Sequence, residues 1–238
     1  MKIKKILFFA AFAILVFVCP LYVCSVDAIS GDENIHAADP EKKYVALTFD
    51  DGPHPVYTQK ILDILAEKNI VATFFIVGGR AEIYPESLLR MKELNCELGN
   101  HTYDHVDLSK TKKAGILYQI QRCNEAIYAA SGEYPIVYRP PFGRISKENE
   151  KAIPMRKVLW TVDSQDWNTK NKDKVIKNVV KSVKDGSIIL MHDFYKSTLN
   201  ALPEIIDQLT EAGYEFATVS ELAALKKISH LHEYFMDD

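Results

Sequence analysis

Thr48-Phe49-Asp50-Asp51-Gly52 closes a run, Tyr44-Val45-Ala46-Leu47-Thr48-Phe49, that is apolar and β-rich without strict alternation. That is the pattern of a strand covered on both faces, as in a parallel sheet, and Gly52 and Pro53 end it. Two adjacent carboxylates at the end of a buried strand repel one another, so the chain has to bring compensating charge to that place.

Outward from this strand, apolar spacing of Ile61, Leu62, Ile64 and Leu65 predicts a helix over 57–68, and Val71 to Val77 is again β-branched and aromatic. The alternation continues with helix about 82–94, strand 97–99, helix about 111–131, strand 136–138 and a short helix about 146–152. Strand 157–163, helix 172–184, strand 187–191, helix 199–212, strand 214–217 and helix 219–226 complete it. Seven strand–helix units imply a distorted (β/α) barrel of about seven parallel strands in one catalytic domain, residues 43–226. The competing architecture is an open doubly wound sheet, but no Gly-rich phosphate loop follows any strand.

The ends of the chain read differently. Met1-Lys2-Ile3-Lys4-Lys5 followed by an apolar run is the layout of a secretory signal, with Val26-Asp27-Ala28 supplying the small residues for cleavage. An uncleaved membrane anchor through residues 6–26 is the alternative, and either places the domain outside the cytoplasm. Residues 29–42 suit a linker, and 227–238 form a polar tail. Cys96 and Cys123 remain in the folded part, as a pair or as two separately buried thiols. A net charge of -3 over 238 residues, with mixed signs, argues against nucleic acid as a partner.

Polar residues gather just after the predicted strand ends: Asp50 and Asp51, His101 and His105, Arg139, then Asp163, Asp166 and Trp167, and finally His192 and Asp193. In a (β/α) barrel those ends share the face on which active sites are built. His101 and His105 stand four apart, close enough for one metal ion, and two histidines with one carboxylate leave positions open for water and substrate. A divalent cation would relieve the Asp50–Asp51 repulsion. Neighbouring residues leaving a strand point in different directions, so one Asp is a ligand and the other is free to act as a base. Arg139, within Arg139-Pro140-Pro141-Phe142-Gly143, can hold that second carboxylate, although alone the stretch reads as a rigid loop. His192 has Asp163 and Asp166 as possible partners that would make it an acid, and Trp167 and Leu190 flank it as core residues or pocket walls.

Thr48-Phe49-Asp50-Asp51-Gly52, His101-Thr102-Tyr103-Asp104-His105, Arg139-Pro140-Pro141-Phe142-Gly143, Asp163-Ser164-Gln165-Asp166-Trp167 and Leu190-Met191-His192 together resemble the five ordered motifs of the NodB-like polysaccharide deacetylases, carbohydrate esterase family 4. The resemblance spans about 43 to 222. It implies that Asp51, His101 and His105 bind a divalent metal, usually zinc, with cobalt or another divalent ion as alternatives, and that Asp50 is the general base. It further implies that Arg139 tethers Asp50 and Asp166 orients His192 as general acid. The backbone at Phe142 would help hold an oxyanion, and Trp167 and Leu190 would form the groove for the acetyl methyl. The implied substrate is an N-acetylglucosamine polysaccharide, foremost peptidoglycan, with chitin oligosaccharides or an exopolysaccharide as alternatives, acted on by a monomer. A catalytically dead carbohydrate-binding domain would be expected to lose Asp50 or His192, and both are present. A non-haem iron oxygenase fits poorly with adjacent aspartates and a separate acid.

Overall fold

The computed structural model describes residues 42–226. The leader, most of the linker and the polar tail lie outside the described residues. No described helix is long and apolar enough to cross a membrane.

The chain begins with β1, Lys43–Asp50, buried from its second residue onward. Helix α1, Tyr57–Lys68, buries Thr58, Ile61, Leu62 and Leu65 and ends on Asn69 in the left-handed region. Then come β2, Thr73–Ile76, helices α2, Gly78–Ile83, and α3, Pro85–Glu93, strand β3, Glu97–Asn100, and the long α4, Lys113–Ser131. Strand β4, Val137–Tyr138, leads through a short 3₁₀ turn at Pro141–Gly143 to α5, Lys147–Glu150. Two short strands, β5, Arg156–Lys157, and β6, Val162–Asp163, precede the one-turn α6, Asp166–Thr169, and α7, Lys172–Ser182. The chain closes with β7, Ile188–His192, α8, Lys196–Glu211, β8, Tyr214–Phe216, and α9, Val219–Leu225.

Every ladder is parallel. The strands run β5-β4-β3-β2-β1-β7-β6, and β8 pairs with the start of β1. This is the expected barrel of parallel strands, distorted because no ladder joins β5 to β6 among the described residues.

Strand β1 sorts its side chains by the period of two. Val45, Leu47 and Phe49 enter a large core with α1, α4, α7 and α8, where Phe49 stacks on Phe74 at 5.1 Å between centroids. Tyr44 and Ala46 belong to a second cluster inside the barrel with Phe75, Val137, Val158 and Ile188, closed below by Val219, Leu222 and Ala223 of α9. Thr48 and Asp50 continue this inner row, so the buried interior ends in a carboxylate at the rim.

Two elements differ from the sequence reading. The helix expected over 82–94 is broken at Tyr84, because Pro85 starts a new helix and disfavours the helical conformation in the residue before it. The strand expected over 157–163 is reduced to β5 and β6, and the segment between them surrenders two carbonyls to a side chain of the site. Cys96 and Cys123 are both buried free thiols.

Candidate active site and metal centre

Arg139 fills the gap between β5 and β6. It is fully buried, its Nε donates to Val158 O at 3.2 Å and its Nη2 to Leu159 O at 2.7 Å. Nη1 donates to Thr48 Oγ1 at 2.8 Å and to Asp50 Oδ1 at 2.6 Å, and the guanidinium lies 4.0 Å over the Phe75 ring. Burial pushes the Arg139 pKa down and the Asp50 charge opposes this. The base candidate is thereby gripped and oriented by a group that also closes the barrel seam.

Asp51 leaves the strand with φ 76°, in the left-handed region, which turns its carboxylate away from Asp50 toward the histidines. Oδ1 lies 3.1 Å from His105 Nε2 and 3.4 Å from His101 Nε2. Burial raises the Asp51 carboxyl, but hydrogen bonding to His101 and His105 outweighs it, and the group ends well below the ordinary carboxylate range. His101 is buried and its Nδ1 sits 2.8 Å from Arg139 O, which fixes the tautomer and presents Nε2 to Asp51.

The loop carrying both histidines is strained, with Thr102 at φ 64° and His105 at φ 55°. It is tied down from two sides. Asn100 accepts from Thr102 N at 2.8 Å and donates to Ile120 O at 2.9 Å, and Gln119 Oε1 accepts from the N–H groups of Tyr103 and Asp104 at 3.0 and 2.8 Å. Phe142 and Gln165 also have positive φ, so five of the eight described non-glycine residues with this geometry sit on the site's loops.

Between them Asp51, His101 and His105 offer three ligand atoms within 4.8 Å of one another. Two imidazole nitrogens and one carboxylate oxygen, with one histidine already locked by its second nitrogen, suit a divalent cation.

On the neighbouring strand, the β1–β7 register sets Asp50 directly beside His192. His192 Nδ1 is 2.8 Å from Asp166 Oδ1, and its backbone N–H donates to Asp166 Oδ2 at 2.7 Å. Thr198 Oγ1 and Trp167 N donate to the same buried carboxylate at 2.6 and 2.7 Å. Burial pushes the imidazole pKa down, but Asp166 together with the charges of Asp50 and Asp51 outweighs this and raises it to about 9. Asp163 does not partner His192; it accepts from Gln165 N at 2.8 Å and Gln165 Nε2 at 2.6 Å.

One cavity of about 330 Å³ is lined by Asp50, Asp51, His101, His105, Phe142, Trp167, Leu190 and His192. Arg139 and Asp166 stand behind that wall, so all ten residues to which the resemblance gives a role converge. The same cavity is lined by Arg144, Trp160, Asp163 and Tyr195; of these only Asp163 carried a signal in the sequence. Phe142, 57% exposed, lies edge-on to His105 at 4.9 Å, and Trp167 is 46% exposed, so both rings are pocket walls, not core.

The fold and site define a (β/α)-barrel protein with a two-histidine, one-carboxylate centre flanked by a carboxylate tethered to Arg139 and an imidazole tethered to Asp166. The family model for "Polysaccharide deacetylase" matches residues 37–155, and the chain belongs to that family. It is 42% identical over 189 residues to the peptidoglycan-N-acetylmuramic acid deacetylase PdaC of Bacillus subtilis, covering 79% of this chain and 40% of that protein. The solved structure of PdaC superposes with a TM-score of 0.77 at 42% identity, covering 79% of this chain and 94% of the solved one. The peptidoglycan-N-acetylglucosamine deacetylase PgdA of Listeria monocytogenes is 36% identical over 193 residues, covering 81% of this chain and 41% of PgdA. The chitooligosaccharide deacetylase of Sinorhizobium fredii is 36% identical over 187 residues, covering 71% of this chain and 87% of that enzyme. The chain thus spans about two fifths of the length of PdaC and PgdA.

Proposed function

We propose that this domain is a metal-dependent hydrolase that removes N-acetyl groups from N-acetylglucosamine residues of an extracytoplasmic polysaccharide, foremost peptidoglycan. The observation that carries the reading is the convergence of Asp51, His101 and His105 with the Arg139–Asp50 and Asp166–His192 pairs on one cavity. The leader-like residues 1–28 support an extracytoplasmic location, either secreted or attached through residues 6–26, with the chain acting as a monomer.

Asp51, His101 and His105 would hold the cation, with zinc the ion best matched to two imidazoles and one carboxylate. When bound, it would supply Lewis acidity toward the acetamide carbonyl and lower the pKa of a water molecule. Asp50, held in place by Arg139, takes the proton of the attacking water. The backbone N–H at Phe142, a residue of the same cavity wall, takes the role of an oxyanion donor. His192, protonated and held by Asp166, donates to the amide nitrogen as the C–N bond breaks, so acetate and a free amine leave. Leu190 and Trp167 form the apolar wall for the acetyl methyl.

A second reading, deacetylation of chitin oligosaccharides, is favoured by the fact that the Sinorhizobium enzyme is matched over 87% of its length. One assay tests both. The chain stripped of metal and resupplied with zinc should release acetate from N-acetylglucosamine polymers. Comparison of peptidoglycan with chitin oligomers ranks the substrates, and no release from either polymer would refute the reading.

A further inference from the structure

A second cavity, of about 590 Å³, shares Asp51, His105 and Tyr195 with the first. The two cavities therefore adjoin at Asp51 and His105, so a unit next to one whose acetamide reaches those residues is within range of the second. Its remaining walls include Tyr84, Tyr103, Phe194 and Arg80. Such rings are suited to the apolar faces of sugar rings, with a few polar groups fixing orientation.

Arg80, on α2, is half-buried, and its guanidinium carbon lies 4.4 Å from the Phe194 ring centroid. Stacking fixes the plane of the fork while leaving its N–H edge open for a bidentate acceptor. Other arginines are already engaged: Arg90 with Asp63, Arg122 with Glu82 and Arg139 with Asp50. Among the described residues Arg80 forms no ion pair, and the acids around it are otherwise occupied. Asp51 faces the two histidines, Asp104 accepts from Gln119 Nε2 at 2.7 Å, and Glu82 is shared by Arg122 and Tyr103. The positive charge is felt by His54, which packs on the same Phe194 ring at 4.9 Å: burial, then Arg80, holds its pKa down.

We propose that the second cavity is a saccharide subsite in which Arg80 pairs with a carboxylate of the unit beside the deacetylated sugar, so that the chain prefers carboxylate-bearing glycans to neutral ones. This deepens the deacetylase reading and rests on it. In peptidoglycan the carboxylate has two sources, the lactyl ether of N-acetylmuramic acid in a peptide-free strand and the stem peptide in a substituted one.

The test compares kcat/KM of the zinc-loaded chain with Arg80→Ala, Arg80→Lys and Arg144→Ala on three polymers. These are neutral N-acetylglucosamine oligomers, peptide-free peptidoglycan strands with free lactyl carboxylates, and strands that carry stem peptides. Arg80→Ala is expected to lower the ratio of anionic to neutral kcat/KM about tenfold, through KM, with Arg80→Lys recovering part of it. A drop confined to peptide-free strands assigns the lactyl carboxylate, and one confined to peptide-bearing strands assigns the peptide. An unchanged ratio, or the same drop in Arg144→Ala alone, overturns the subsite while leaving the deacetylase reading standing. Wild-type inactivity on all three polymers overturns both.

Discussion

Asp50 and His192 are direct partners in the parallel register of β1 and β7, and each is gripped from behind by a buried residue of opposite charge character, Arg139 for the carboxylate and Asp166 for the imidazole. One strand pair therefore delivers a carboxylate and an imidazole to the same cavity, each oriented by its own tether.

The pH dependence follows from the second tether. His192 must carry a proton to act as the acid, and its pKa is raised to about 9. Activity should therefore fall on the alkaline side at or below about pH 9, since a bound cation offsets the contribution of Asp51. Asp166→Asn removes the main raising interaction, so the alkaline limb should move toward the ordinary histidine value near 6.5 while kcat drops about 10²–10⁴-fold. The same shift affects stability. A folded pKa above the ordinary value gives a stabilisation complete below about pH 6.5 and lost as pH rises through about 9. A pH–rate profile that is unchanged in Asp166→Asn would count against His192 as the acid.

Asp50→Asn should abolish acetate release and leave metal binding intact, because Asp51, His101 and His105 remain. Arg139→Met is a different kind of variant. It strands the buried Asp50 charge and frees the carbonyls of Val158 and Leu159, so it should cost about 3–5 kcal/mol in denaturant unfolding as well as activity. Full activity in Asp50→Asn would remove the base assignment.

Chelation should abolish activity and lower Tm, with both restored by zinc or another divalent ion. The two histidines should not behave alike. His101 is buried and bonded to Arg139 O, whereas His105 is half-exposed on a strained loop. His105→Ala is expected to weaken metal binding mainly, and His101→Ala to weaken metal binding and the metal-free fold together. Calorimetric zinc titration beside metal-free melting curves separates the two effects, and equal destabilisation of the metal-free proteins would contradict it.

The motif residues were legible in the sequence because charged side chains are conspicuous at the ends of apolar strands, and the barrel then requires those ends to meet. From the residues alone the division of labour between Asp50 and Asp51 was legible only as an alternative, since which face of β1 enters the barrel cannot be read from a strand apolar on both faces; the family resemblance made the choice. The inner row of Tyr44, Ala46, Thr48 and Asp50 becomes visible only with the packing. The interruption between β5 and β6 was hidden for a related reason: Arg139 competes for carbonyls that a strand pattern assigns to a ladder. Tyr195, Trp160 and Arg80 line cavities from ordinary loop and helix positions, and nothing local distinguishes them from surface residues.

Gly52 supplies the sharpest test of the rim's packing. A Cβ built there would lie 2.1–2.5 Å from the carboxylate of Asp193, inside any permitted contact. Asp193 is fully buried, receives a hydrogen bond from Thr58, and is pushed up to about 7, first by burial and then despite that bond. It cannot swing away without losing Thr58, so Gly52→Ala should destabilise the chain by about 1–3 kcal/mol, the usual range for overpacking. Because the clash is with one side chain, Asp193→Ala should relieve most of it, and a double-mutant cycle by denaturant unfolding should show coupling above about 1 kcal/mol. Additive losses would mean that the backbone of the Asp51–Pro53 turn, and not the Asp193 carboxylate, excludes the methyl group.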